Sequence, residues 1–292
     1  MRQVAVQRFS FLLIILMLGV GVCSSNSWGA PQKSRKSSSR KSVAKAHRLR
    51  HLHQAFVVSA DLKPMAQQLL QFRSVPAYSG VAAYAQKHGS DAAGPLAWMV
   101  MGYAHYLDKD YAEALSVWDK CNELAPVLGD YLDYLRASAQ TGLQNYQAVS
   151  KVLAGFEQRH PDSLLIHESS LLYARALIAT DAPQRAAAYL EKYRQAGYSD
   201  VNLTLAHAYR GAGQSEKAAE VLRHIYFDQP LTAEADSAAL ELRNLGEASP
   251  IGSFDQRRSR ALALEQGKRY SQAETELSAL LVQAHPPEVR NL

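Results

Sequence analysis

An all-α chain, a right-handed superhelix of stacked helical hairpins, is the fold class this sequence predicts. Three observations predict it. From Leu62 onward apolar residues recur at helical spacing, and strand-like alternation never takes over. Small residues return wherever two helices would have to cross closely. The chain also matches itself at a fixed offset, with Tyr146 lying 35 residues after Tyr111 and Pro161 the same distance after Pro126.

Taken in order, residues 1–29 read as an export signal. Arg2 and Arg8 precede the apolar run Phe11–Val22, and the small residues of "SNSWGA" offer cleavage after Ser27 or Gly29. A run of about a dozen apolar residues is short of the ~20 needed to span a bilayer. The expectation is a periplasmic or otherwise exported protein with no transmembrane span after cleavage. Cys23 would be the acceptor in a lipoprotein, but Val22 is a poor residue to precede it. Cleavage would remove Cys23 and leave Cys121 without an intramolecular disulfide partner.

Residues 30–60 form a basic linker. The first 60 residues hold ten lysines and arginines and no acid, which leaves 22 basic against 27 acidic residues for the remainder. The net charge of +5 therefore hides a basic tail ahead of a mildly acidic body. Serine and cation density with few apolar residues predicts disorder from Ala30 to about Gln54. Such a tail suits anionic wall polymers or lipid phosphates, the alternative being a solvated spacer. The export signal argues against nucleic acid as the partner.

The body carries the tetratricopeptide pattern over residues 61–247, with a further hairpin at 253–292 that reads as a truncated end of the stack. Pro95–Pro126 is the fullest unit: Trp98, Gly102, Tyr111, Ala114, Trp118, Cys121 and Pro126 fall in register. The second unit has Ala137, Tyr146, Val149 and Pro161; the third has Ala174, Ala186 and Leu190. The fourth has Leu205, Ala206, Tyr209, Gly213, Ala218, Leu222 and Pro230, and the fifth Ala261, Tyr270, Ala273 and Leu277. Each unit is a hairpin that cannot bury its apolar faces alone, so stacking stabilises it. "KPMAQQLLQF" and "PAYSGVAAYAQKHG" predict helices leading into the stack, and Asn244–Ser253 reads as an internal linker because Gly and Pro cluster there.

Three stretches, Pro76–Leu115, Leu128–Ala139 and Ile225–Leu242, make the order of hairpins resemble the N-terminal superhelical region of soluble lytic murein transglycosylases. The resemblance covers roughly residues 62–285. It implies an exported scaffold that precedes a lysozyme-like catalytic domain in that family. The family's acid sits in a Glu-Ser pair followed by Gly-Leu-Met-Gln. Glu168-Ser169 matches the pair, but no Gly-Leu-Met-Gln follows, so Glu168 is expected to be a surface helical glutamate and this chain to lack the catalytic domain.

No other chemistry is declared. His47, His51 and His53 cluster in the basic tail without an accompanying carboxylate or thiolate; no metal site and no cofactor are expected. "GAGQSEKA" (Gly211–Ala218) follows no strand and is a helix–helix turn rather than a phosphate loop. Ser169 and Cys121 lack a base at a recognisable spacing, so no catalytic residue is assigned. Within "MGYAHYLDKDYAEALSVW", the register makes Tyr111 and Trp118 packing residues and puts Met99, Tyr103 and Tyr106 on a separate stripe. Tyr103, Tyr106, Tyr134, Arg175, His207 and Arg210 are the candidate ligand-binding set of a concave groove, the alternative being that the tyrosines pad the neighbouring hairpin. Three functions follow: a non-catalytic scaffold that binds peptidoglycan, a fragment of a lytic transglycosylase whose catalytic domain follows Leu292, or an adaptor for an envelope protein or peptide.

Overall fold

The computed structural model describes residues 60–91, 93–194, 198–247 and 250–283, with backbone alone for 122–127 and 283. The expected export signal, the basic linker apart from Ala60, Cys23 and the tail histidines lie outside these residues. Among the described residues the chain is all helical, with no strand. Helix α1 covers residues 60–72. There follow α2 (Val75–Lys87), α3 (Ala93–Leu107), α4 (Tyr111–Trp118), a 3-10 turn, α5 (Ala125–Gly142), α6 (Tyr146–Leu153) and the short α7 (Phe156–Arg159). The second half has α8 (Ile166–Ala179), α9 (Pro183–Leu190), α10 (Ser199–Gly211), α11 (Ser215–Asp228), α12 (Ala233–Asn244), α13 (Phe254–Gln266) and α14 (Tyr270–Gln283).

One turn geometry recurs along the chain. Lys109, Gln144, Asp181, Gly213, Gly246 and Lys268 all have positive φ and follow α3, α5, α8, α10, α12 and α13. The next residue's N–H returns to a carbonyl five back: Asp110 to His105, Asn145 to Gln140, Ala182 to Leu177, Gln214 to Tyr209, Glu247 to Leu242 and Arg269 to Leu264, at 2.8–2.9 Å. The positive-φ residue's own N–H bonds the carbonyl three before it. This pair of bonds is the Schellman closure, which satisfies helix-end carbonyls and reverses the chain. In every case a Gly or Ala stands seven residues earlier (Gly102, Ala137, Ala174, Ala206, Ala239, Ala261). Helices start on a cap where one is available: Asp110 accepts from the Glu113 amide to open α4. Thr232 likewise opens α12, and Ser253 with Gln256 forms a capping box for α13.

The chain divides into two compact units, one up to Asn145 together with Gly155–Ile166, the other Tyr146–Ala154 together with His167 onward. In the first, α2 packs on α3, α3 on α4, and α5 lies against both α3 and α4. Trp118 is fully buried, and its indole N–H donates to the Met99 carbonyl at 3.1 Å. Gly102 is obligatory there, because a Cβ would come within 2.3 Å of the Trp118 ring nitrogen. Tyr111 lies over Gly142 in the same manner, with its ring 2.3 Å from where a Cβ would stand. Polar links complete the unit: Arg73 to Asp108 at 2.8 Å, Arg136 to the Trp118 carbonyl at 2.7 Å, and Ser163 to the buried Asp130 at 2.6 Å.

The second unit has a continuous apolar core from Leu171 through Leu242. Here α9 packs on α10, α10 on α11, α11 on α12, and α13 reaches back to α11. The small residues placed by the repeat register (Ala174, Ala186, Ala206, Ala218, Ala261, Ala273) are all buried. The described parts of the Asn244–Ser253 linker are tied to α11. Arg223 donates twice from Nε to the Glu247 carboxylate, at 3.0 and 3.2 Å, and the Ile251 amide joins at 3.1 Å. Gly252 sits where a Cβ would strike the Phe227 ring.

The last hairpin is held by a buried charge network. Arg260, 5% exposed, donates to the Tyr226 carbonyl at 2.6 Å and to Glu276 at 3.0 Å, with its guanidinium 3.6 Å above the Tyr226 ring. The Tyr226 hydroxyl donates to the same Glu276 carboxylate. Tyr270 departs from its expected packing role: it is 62% exposed. Tyr111 is covered because the next first helix, α5, brings Gly142 beneath it.

Candidate functional site

The candidate set falls into two groups, one in each unit. In the first unit Tyr103 and Tyr106 come from α3 and Tyr134 from α5. The Tyr103 and Tyr106 rings stack at 6.1 Å, and Tyr106 also meets Tyr111 at 5.6 Å and Trp118 at 6.2 Å. Burial, then the neighbouring phenols Tyr134, Tyr111 and Tyr103, push the Tyr106 hydroxyl up to about 12. Tyr103 is only 2% exposed, so its ring faces the core rather than a groove, as does Met99. Tyr106 and Tyr134 are half-buried. The structure thus brings the three tyrosines together as an uncharged aromatic seam, with only the last two reaching solvent.

In the second unit Arg175 is exposed on α8, while His207 and Arg210 project from α10. Both α10 side chains converge on Glu241 of α12: His207 Nε2 on Oε1, and Arg210 Nη1 on Oε2 at 3.2 Å. Both are therefore engaged with Glu241 within the second unit. Glu241 was missed by sequence reasoning, although it follows His207 by 34 residues, one repeat. The same spacing recurs between first helices. His167 bonds Asp200 at 2.8 Å across 33 residues, and Ser199 donates to Glu234 at 3.0 Å across 35.

The Glu168-Ser169 pair is not on the surface as expected. Glu168 is half-buried with one carboxylate oxygen enclosed and unbonded, and the Ser169 hydroxyl is buried and unbonded. The reason is local: Glu168 stands one turn into α8, whose adjoining residues Leu165, Ser169, Ser170 and Leu171 are all buried. Asn202, at the position a repeat usually gives to a large apolar residue, is wholly buried with both amide atoms unpartnered. Cys121 is sealed against the Pro95 carbonyl, and burial pushes its thiol up to about 12, which leaves it protonated and unreactive. Among the described residues no three His, Cys, Asp or Glu side chains converge to hold a metal, and no helix is long and apolar enough to cross a membrane.

Comparison with known proteins returns no match: no family model matches the sequence, and neither a curated protein nor a solved structure does.

Proposed function

We propose that this chain is an exported, non-catalytic helical-repeat binding module, stacking its hairpins as a right-handed tetratricopeptide-type superhelix and working in the cell wall. The observation that carries the repeat assignment is the recurring turn: six Schellman closures, each seven residues beyond a small crossing residue. Side-chain links between consecutive first helices at 33–35 residues support the same period. A stack of this kind presents one face of its first helices to a ligand. In the first unit Tyr106 and Tyr134 reach solvent; in the second Arg175, His207 and Arg210 do, the last two engaged with Glu241. The wall assignment rests on the export signal and on the resemblance to the scaffold region of lytic transglycosylases, and it makes peptidoglycan the ligand.

Co-sedimentation with isolated sacculi tests this. The full chain is expected to sediment with them, and Arg175→Ala, an exposed change, to weaken binding at unchanged melting temperature. No sedimentation at low salt would replace the wall ligand by an envelope protein or peptide. Clearing of a murein zymogram by the chain would overturn the non-catalytic reading.

A further inference from the structure

Six of the ten histidines lie in the described residues, and each places a ring nitrogen within 3.5 Å of a carboxylate oxygen. Three of these pairs are local: His88–Asp91, His105–Asp110 and His224–Asp228. His160–Asp133 joins the end of α7 to α5. Two run between the first helices of successive hairpins in the second unit. Of these, His207 shares Glu241 with Arg210, whose charge is permanent. His167 is the chief cation on Asp200, and that contact joins the first turn of α8 to the first turn of α10.

We propose that the α8–α10 joint is a pH-sensitive staple, in which proton uptake by His167 converts a hydrogen bond to Asp200 into an ion pair and tightens the stacking of the third hairpin on the fourth. The groups that face His167 are Asp200 from α10, the Tyr198 ring at 5.0 Å just before α10, and Glu168 on its own helix. All the charges among them are negative, so each favours the imidazolium. The hydrogen bond to Asp200 raises His167 above its usual 6.5, against some loss from burial. Burial pushes Asp200 up, but the His167 bond and charge, with the Val201 amide at 2.9 Å, outweigh it and hold the carboxyl below its usual 3.8. A raised histidine contributes stability that is complete below 6.5 and is lost as pH rises through its folded value. A lowered aspartate contributes stability that is complete above 3.8 and is lost on further acidification. The joint is therefore tightest between about pH 4 and 6.5 and slackens towards pH 8.

Neither side chain is deeply buried, at 34% and 37% exposed, so the effect is modest and screened by salt. Two measurements test it on the full chain at low ionic strength. In a histidine NMR titration, His167 is expected to titrate above 6.5, and Asp200→Asn to return it to the free-imidazole range. In melting curves at pH 5.5 and 8, the gain on the acid side is expected to shrink by roughly 1–2 °C in His167→Gln. A His167 midpoint at or below 6.5, or a His167→Gln chain that keeps the whole acid-side gain, overturns the staple. Neither outcome bears on wall binding, which is read separately from sacculi.

Discussion

Four of the six turn residues in the left-handed region carry a side chain: Lys109, Gln144, Asp181 and Lys268. An L-residue there loses about 1–2 kcal/mol per residue to contact between Cβ and the following carbonyl. Glycine does not, although its greater freedom in the unfolded chain offsets part of the gain. Lys109→Gly and Lys268→Gly are each expected to stabilise by about 0.5–1 kcal/mol, and Gly213→Ala to cost about 1 kcal/mol, all read from urea melts. A neutral or destabilising Lys109→Gly would mean that the turn is not strained. The repeat register located the turns at Tyr111, Tyr146 and Asp181, but only at Gly213 and Gly246 does the residue type itself suit the left-handed conformation. At the other four the left-handed conformation was not legible, because the helix-end hydrogen bonds and not the residue type impose it.

At the scale of elements, the small residues at the crossings were legible and the charged links between helices were not. Gly102, Ala137, Ala174 and Ala206 are recognisable because a close crossing admits nothing larger. No motif in the sequence marks Arg260 and Glu276, yet they form the buried clamp that fastens α13 and α14 to Tyr226 of α11. Removing one member of a buried pair strands the other and costs about 3–5 kcal/mol. Arg260→Ala is expected to destabilise by that amount in urea melts. Arg260→Met with Glu276→Leu should recover most of it, since an apolar pair of similar volume leaves no charge stranded. Equal losses in the single and double variants would remove the clamp as the cause. The candidate groove met the same difficulty: His207 and Arg210 were read as free to meet a ligand, and Glu241 from the next first helix holds both.

At the scale of the whole molecule the chain forms two compact units, and a change within one is expected to act first on that unit. Trp98 and Trp118 both belong to the first unit, whereas helical circular dichroism reports both units. The Arg260→Ala change is therefore expected to bring forward part of the dichroism transition while the tryptophan fluorescence midpoint moves far less. Coincident shifts in both signals would show that the two units melt as one. By itself the sequence determined the all-helical class, the period of the repeats, the buried small residues and the place of Trp118, because local spacing dictates which faces are apolar and how closely backbones can approach. Only the tertiary structure decided which charged side chains meet, that Tyr103 lies inside while Tyr270 lies outside, and that His167 reaches Asp200. Each of these depends on what a helix one repeat away brings to the contact, and no local pattern in the chain encodes that.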